Sequence, residues 1–485
     1  MMVSMFASVS GLKSHQTKMD VIGNNVANVN TVGFKASRAT FQEIFAQTLS
    51  SGSAPDSTTG RGGTNPMQIG LGMTVDSITT DMGRGSVQRT EAPDDLSIEG
   101  NGFFIVRNGN SGEYLFTRAG NFTFDVAGNL VTSGGKNVYG WLNYDPEKGE
   151  FNTSDPLVPI NLYEYNGENR RIMAAQVTTQ AVLAGNLKAT NTPVYGSGEE
   201  DFYEIRDEVP AASGGGTAAG DGIPDDGTNN HDPHVIVPIN VYDALGNEYK
   251  VNIKFWKTFV DTTTEGAPKT QWYYLVEPEL TNKADLDDNP KAEIEGSDYA
   301  CGYLCFDSNG KLILDDPNFN PVTNITFTPP GSSGAGVFTF ELDLRQLTQY
   351  ATDNSVAASR VDGHAPGRLT NYTIGEDGVI TGIYTNGRRQ PLGLIALAVF
   401  ENPAALERVG ANEYRESANS GQFSVGYKPG TNGAGKLLPG TLEMSNVDLA
   451  AQFTEMIITQ RGFQANSRVL TTADELLQEL ANLKR

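Results

Sequence analysis

Apolar residues recur at every seventh position near both ends of this chain. Met5, Leu12, Met19 and Val26 form one row, with Met2, Val9, Gln16 and Gly23 on the row beside it. Leu449, Met456, Phe463, Leu470 and Leu477 repeat the interval, and Val469, Ala473, Leu476, Leu480 and Leu483 add a second row. A seven-residue repeat keeps one seam of an α-helix turned toward a partner helix, so the spacing predicts a helix at each end. A two-sided apolar stripe on a terminal helix predicts that each needs a partner. Gln16 and Gln460 interrupt the seams near their middles, which weakens a hydrophobic zipper while fixing its register.

The first seam stops at "GNNVANVNTVGFK". Asn24, Asn25, Asn28 and Asn30 compete for backbone hydrogen bonds and tolerate the left-handed region, and Gly33 removes the remaining restraint. The following "FKASRATFQEIFAQTL" predicts a return to helix, and residues 52–89, with eight glycines, read as a long extended connector. Beyond it one local signal repeats: an acid, a glycine turn and a return strand, at Asp125 and Gly128, Asp243 and Gly246, Asp307 and Gly310, and Asp377 and Gly378. Asn-Gly and Asp-Gly steps between alternating apolar residues signal hairpins. With 54 glycines and only 19% charged residues, the expectation is a mainly β protein with α-helical termini, too long for one core. Residues 191–233 are acidic and Gly/Ala-rich, which suits an exposed insertion.

The net charge of -23 argues against nucleic acid, because phosphate binding needs Lys and Arg to replace condensed counterions. That charge falls on the middle. Lys13, Lys18, Lys35 and Arg38 offset Asp20 and Glu43 in the first fifty residues, and the last forty are as evenly matched. Close packing of many copies through the ends therefore costs little repulsion. No run of 18 apolar residues exists, so no membrane insertion is expected. The N-terminus lacks a charged leader region, so no cleaved secretory signal is expected. Cys301 and Cys305 would share a strand face too far apart to bond. "GTNGAGKL" lacks the Ser or Thr of a phosphate-binding loop, and Asp221, Asp225, Asp226, His231, Asp232 and His234 fit no known ligand spacing. His15 and His364 have no clustered acids beside them. No catalytic set, cofactor or metal is expected.

Several segments together resemble a known family: "GNNVANVNTVGFKASRATF", "SIEGNGFFIV", "TRAGNFTFDVAGNLV", "TNGRRQPLGLIALAVFENPAAL" and "EMIITQRGFQANSRVLTTADELLQELANLKR". They resemble the bacterial flagellar axial proteins. The Asn-rich turn and "RGFQANSR" are shared between hook and rod subunits, while the connector "STTGRGGTNPMQIGLGMTVDSI" and the length resemble the hook proteins. The likeness covers residues 1–145 and 360–485, and leaves a rod-type subunit of a straight shaft as the alternative.

The resemblance implies a nested chain. Residues 1–34 and 445–485 would pair as an inner coiled-coil-like domain, with 35–90 as a Gly-rich connector. Residues 91–150 and 357–444 would form an inner β domain, and 151–356 an outer one. It further implies a homopolymer, a curved flexible tube that transmits torque from rod to filament. Its neighbours would be a distal rod protein, a hook cap protein and a hook-filament junction protein. Export would run through the flagellar secretion channel without a cleaved signal peptide. Met5, Leu12, Met19, Val26, Leu449, Met456, Phe463 and Leu470 would form the self-assembly interface. Asn24, Asn25, Asn28, Asn30 and Gly33 would act as a hinge, with Met67, Ile69 and Leu71 as connector anchors. Some family members carry a covalent Cys–Lys crosslink, but Cys301 and Cys305 stand in a different context, and that chemistry is not carried over.

Overall fold

A computed structural model describes residues 2–55, 60, 62–109, 112–194, 232–261, 269–278, 291–293, 300–314 and 321–482. The fold is mainly β with one helix at each end: α1, Met2–Ala27, and α2, Leu449–Asn482. Two compact units result. The first comprises Met1–Arg171, Thr370–Ile383 and Arg389–Arg485; the second comprises Ile172–Leu369 and Tyr384–Arg388. Both ends of the chain therefore belong to one unit.

The stretch read as a second helix and an extended connector is neither. Strands β1 (Ser37–Glu43) and β2 (Ala46–Ser50) pair antiparallel with β4 (Met73–Thr80) and β3 (Met67–Gly70), so the chain doubles back as a long two-stranded ribbon. The reason is lateral. Ala39 faces Ile78 and Phe41 faces Val75 across the ladder, pairs that suit a pleated surface better than a helix. α1 supports the ribbon: the Met73 N–H donates to Ser10 Oγ at 3.2 Å, and Ser14 Oγ donates to the Met73 carbonyl at 3.4 Å.

The main sheet of the first unit is crossed by both passes of the chain. Asn137–Trp141 lies between Phe103–Arg107 from the same pass and Arg389–Ile395 from the return, and Tyr114–Thr117 pairs with Glu413–Arg415. Phe103, Ile105, Phe116, Tyr139, Trp141, Leu394, Phe400 and Tyr414 fill its core, with Phe116 edge-on to Phe400 at 4.7 Å between centroids. Residues 151–171, assigned from sequence to the outer domain, stay with this unit because Ile160 and Leu162 are buried and the Leu130 N–H donates to the Ile160 carbonyl at 3.0 Å.

The second unit is a β-sandwich. One sheet orders Lys291–Glu293, Val322–Thr328, Phe338–Tyr350, Gln180–Lys188 and Ala357–Val361; the other orders Val235–Tyr242, Glu248–Asp261, Lys269–Pro278 and Ala300–Phe306. Leu183, Val251, Phe255, Trp272, Phe327 and Phe340 are among the buried residues of its core. Residues 357–361 pair with Gln180–Lys188, which carries this unit past the expected boundary at 356. Cys301 and Cys305 lie on one strand and form no disulfide, Cys305 buried. The four hairpin glycines all take positive φ, 75° to 89°. After "GTNGAG" the chain enters a strand, Lys436–Pro439, paired with Leu96–Glu99, where a phosphate loop would need a helix. Most of the 191–233 insertion, with Asp221, Asp225, Asp226 and His231, lies outside the described residues.

Candidate assembly site at the helix pair and its junction

α1 and α2 pack antiparallel, through small and polar residues. A Cβ on Gly11 would lie 2.6 Å from the Asn466 amide nitrogen, and one on Gly462 would lie 2.9 Å from the His15 ring. Lys18 pairs with Glu455 at 3.4 Å, and the Asn25 amide donates to Gln452 Oε1 at 3.1 Å. Ser8, Gly11, Ser14, Ile22 and Asn25 are buried on α1, and Thr459 and Ala473 on α2. A glycine in a helix interior costs about 1 kcal/mol relative to alanine, and here it lets the helices approach.

The expected apolar rows do not form that contact alone. Met5, Leu12, Met19, Val26, Met456, Phe463 and Leu470 are half-buried, and Leu449 is exposed, as are Gln16 and Gln460. The arrangement has a physical cause: side-chain volume keeps backbones apart, so the closest line of contact falls on the narrow residues and turns part of the apolar surface outward. Phe6, Val9, Phe453, Ile457, Ile458, Val469 and Leu476 face solvent, Ile458 at 64%. An exposed apolar stripe of this kind marks an interaction surface.

Where α1 ends the chain is fixed by many bonds. Asn25 exchanges hydrogen bonds with Ser37, donating to its carbonyl at 2.8 Å and accepting from its N–H at 2.9 Å. Asn28 donates to the Asn24 carbonyl at 2.9 Å and accepts from the Thr31 hydroxyl at 3.1 Å. Gly33 has φ +69°, and a Cβ there would sit 2.6 Å from the Ala119 nitrogen; its N–H donates to the Glu443 carbonyl at 2.7 Å. Asn25 and Gly33, read from sequence as hinge residues, are tied by these bonds to Ser37 and Glu443. Asn24 and Asn30 remain exposed.

Behind Gly33 lies a buried ion cluster that sequence reading missed. Lys35 Nζ donates to Glu443 Oε1 at 2.6 Å and to the Gly83 carbonyl at 2.8 Å. Arg118 reaches Glu443 Oε2 at 3.2 Å, and the Gly85 N–H donates to Oε1 at 3.0 Å. The Lys35 and Glu443 side chains are 0% and 1% exposed. Burial alone would raise the Glu443 carboxyl, but the Lys35 and Arg118 charges together outweigh it and hold the group below the usual carboxylate range. Arg118 lies over the Phe103 ring at 5.1 Å and Arg408 over Phe34 at 5.2 Å. Asn446 accepts from the Ala36 N–H at 2.8 Å and donates to the Asp81 carbonyl at 2.9 Å. Asp448 then caps α2 by accepting from the Ala450 N–H at 2.9 Å, satisfying one of the free donors at a helix start.

The connector residues take an exposed position. Met67 and Ile69 are 60% and 48% accessible, and Leu49 on the facing strand is exposed with them, as are Ile44 and Phe45 in the step between β1 and β2. Leu71 is half-buried, its N–H bonded to the Phe45 carbonyl at 2.9 Å. Among the described residues no group of three or more His, Cys, Asp or Glu is placed to hold a metal ion. No described helix is long and apolar enough to cross a membrane.

Comparison with known proteins matches four stretches of this chain to flagellar families. Residues 5–35 match flagella basal body rod protein, and 97–164 the flagellar hook protein FlgE/F/G D1 domain. Residues 218–364 match the flagellar basal body protein FlaE D2 domain, and 438–483 the flagellar basal body rod FlgEFG protein C-terminal family. Flagellar hook protein FlgE of Borreliella burgdorferi is 37% identical over the whole of both chains. That of Treponema pallidum is 34% identical, again over the whole of both. Flagellar basal-body rod protein FlgG of Bacillus subtilis is 28% identical over both full lengths.

Proposed function

Because this chain belongs to the family of flagellar hook proteins, we propose that its paired ends form the inner layer of a curved tube, built from many copies, that carries torque while it bends. The protein is a structural subunit of the flagellar hook and works as part of a polymer in the flagellum. The rod-type alternative is less supported, since the rod relative, at 28% identity, is less similar than the two hook relatives named, at 37% and 34%. The family consists of structural hook proteins and not enzymes.

One observation carries the reading. Both chain ends meet in one unit as a helix pair whose outer surface bears Phe6, Phe453, Ile457, Ile458 and Leu476. A surface that joins unlike patches of neighbouring copies repeats along an open symmetry operator and builds a helical polymer instead of a closed ring. Met5, Leu12, Met19, Val26, Met456, Phe463 and Leu470 complete the inner layer, each half-satisfied by its own chain and half by neighbours, and the exposed Leu449 joins them through neighbours. The exposed apolar residues of the ribbon, Met67 and Ile69 among them, bear on adjacent copies. Small reorientations pass through the exposed Asn24 and Asn30 and the ribbon, while Asn25 and Gly33 hold the attachment. At its ends the tube joins a distal rod protein and a hook-filament junction protein, and it grows beneath a hook cap protein. The subunit travels through the flagellar secretion channel.

The test is a pair of substitutions on the outward face. Phe453→Asp and Ile457→Asp, in one chain, leave the helix pair and β units folded, because both side chains already face water. Polymer recovered by sedimentation falls to background, and wild-type polymer yields with an unchanged unfolding curve would sink the proposal.

A further inference from the structure

His15 occupies the point where three elements meet. Its ring packs edge-on against Phe41 of β1 at 5.8 Å between centroids, and on the far side it lies against Gly462 of α2, where even a methyl group would sit 2.9 Å from the ring. Its Nδ1 is buried without a hydrogen-bond partner. We propose that His15 makes the α1–α2 pairing acid-sensitive: the neutral ring is a packing element between α1, α2 and β1, and its protonation opens the pair.

The chemistry follows from what surrounds the ring. A neutral imidazole can leave Nδ1 as a bare lone pair with its proton on Nε2, whereas the imidazolium carries a proton on both nitrogens. The Nδ1–H then becomes a buried donor with no acceptor, and an unmade bond of that kind is costly. The charged groups nearby do not relieve it. On α1, Lys18 shares the Phe41 ring at 5.9 Å, so a second cation would stand beside the first. On α2, Glu455 is engaged with Lys18 at 3.4 Å, and Arg461 is exposed. On the ribbon, Glu43 is turned toward Gly70 and Asp76 toward the Thr40 hydroxyl, while Arg38 is exposed. Burial first, and the Lys18 charge second, hold the His15 pKa below its ordinary value. The sign is then fixed: the open state binds a proton more readily than the paired state, so pairing is favoured above about pH 6.5 and weakens as pH falls below it.

Hydrogen exchange of the full chain, compared at pH 7.5 and 5.5 after correction for the intrinsic rate, tests this. Amides of α1 and α2 should exchange roughly tenfold faster at the lower pH, with those of the β body unchanged. His15→Gln, which cannot titrate, should exchange slowly at both values, and His15→Lys, which carries a fixed charge, rapidly at both. Glu455→Gln should retain the acid response, since the ion pair with Lys18 is not its origin. Helix amides that stay protected in the wild type at pH 5.5, or an acid response that survives in His15→Gln, would overturn the proposal. Slow exchange in His15→Lys at neutral pH would do the same.

Discussion

Glu443→Gln lowers the stability of the first unit by about 3–5 kcal/mol, the usual cost of removing one partner from a buried ionic group. The substitution keeps volume and shape but takes from Lys35 and Arg118, both buried, the carboxylate they share. Lys35→Met costs less, because Glu443 keeps its contact with Arg118 at 3.2 Å and the methionine fills the apolar path of the lysine stem. Replacing Trp256 and Trp272 by Phe leaves Trp141 as the one reporter, and urea unfolding followed through it measures both. Equal stability of Glu443→Gln and wild type would show that the cluster contributes nothing. A pH dependence accompanies the mutation. The folded-state carboxyl is held below its ordinary range, so its contribution is complete above about pH 4.3 and fades as pH falls through the lowered value. The wild-type advantage over Glu443→Gln should therefore shrink in acid and persist at neutrality.

Removal of residues 1–28, or of 450–485, abolishes polymerisation and leaves folded β units. Each deletion strips the partner from the other helix, so contacts such as Gly11 with Asn466 and Lys18 with Glu455 disappear, and a lone amphipathic helix in water is marginal. The ion cluster survives both deletions, because Lys35, Arg118 and Glu443 lie outside the removed segments. Circular dichroism should retain the strand signal while sedimentation finds only monomer. Tubes formed by either shortened chain would contradict the assignment of the ends to the inner layer.

The helices were legible because a seven-residue repeat is a local pattern, and the hairpins because Asp125, Asp243 and Asp307 each stand three residues before a turn glycine. The ribbon was not. Thr40 and Phe41 gain their strand partners, Ser77 and Val75, from residues more than thirty positions on, and a window of adjacent residues cannot see that. The contacting face of the helix pair was hidden for another reason. Apolar periodicity counts all the partners a helix will ever have, whereas a single chain shows the closest one, made here by Gly11, His15, Gly462 and Asn466. Interior glycines at 11 and 462 were the available signal, since each weakens its helix unless a neighbour needs the space. Lys35, Arg118 and Glu443 offered no signal, as each is an ordinary charged residue until the two passes of the chain bring them together.

The most direct measurement is a side-chain-resolution image of the assembled fibre. It should place α1 and α2 of every copy at the smallest radius, with Phe453, Ile457 and Ile458 covered by neighbouring copies. The two helices lying on the outer wall, with those three side chains in water, would contradict the claim that the paired ends build the inner layer.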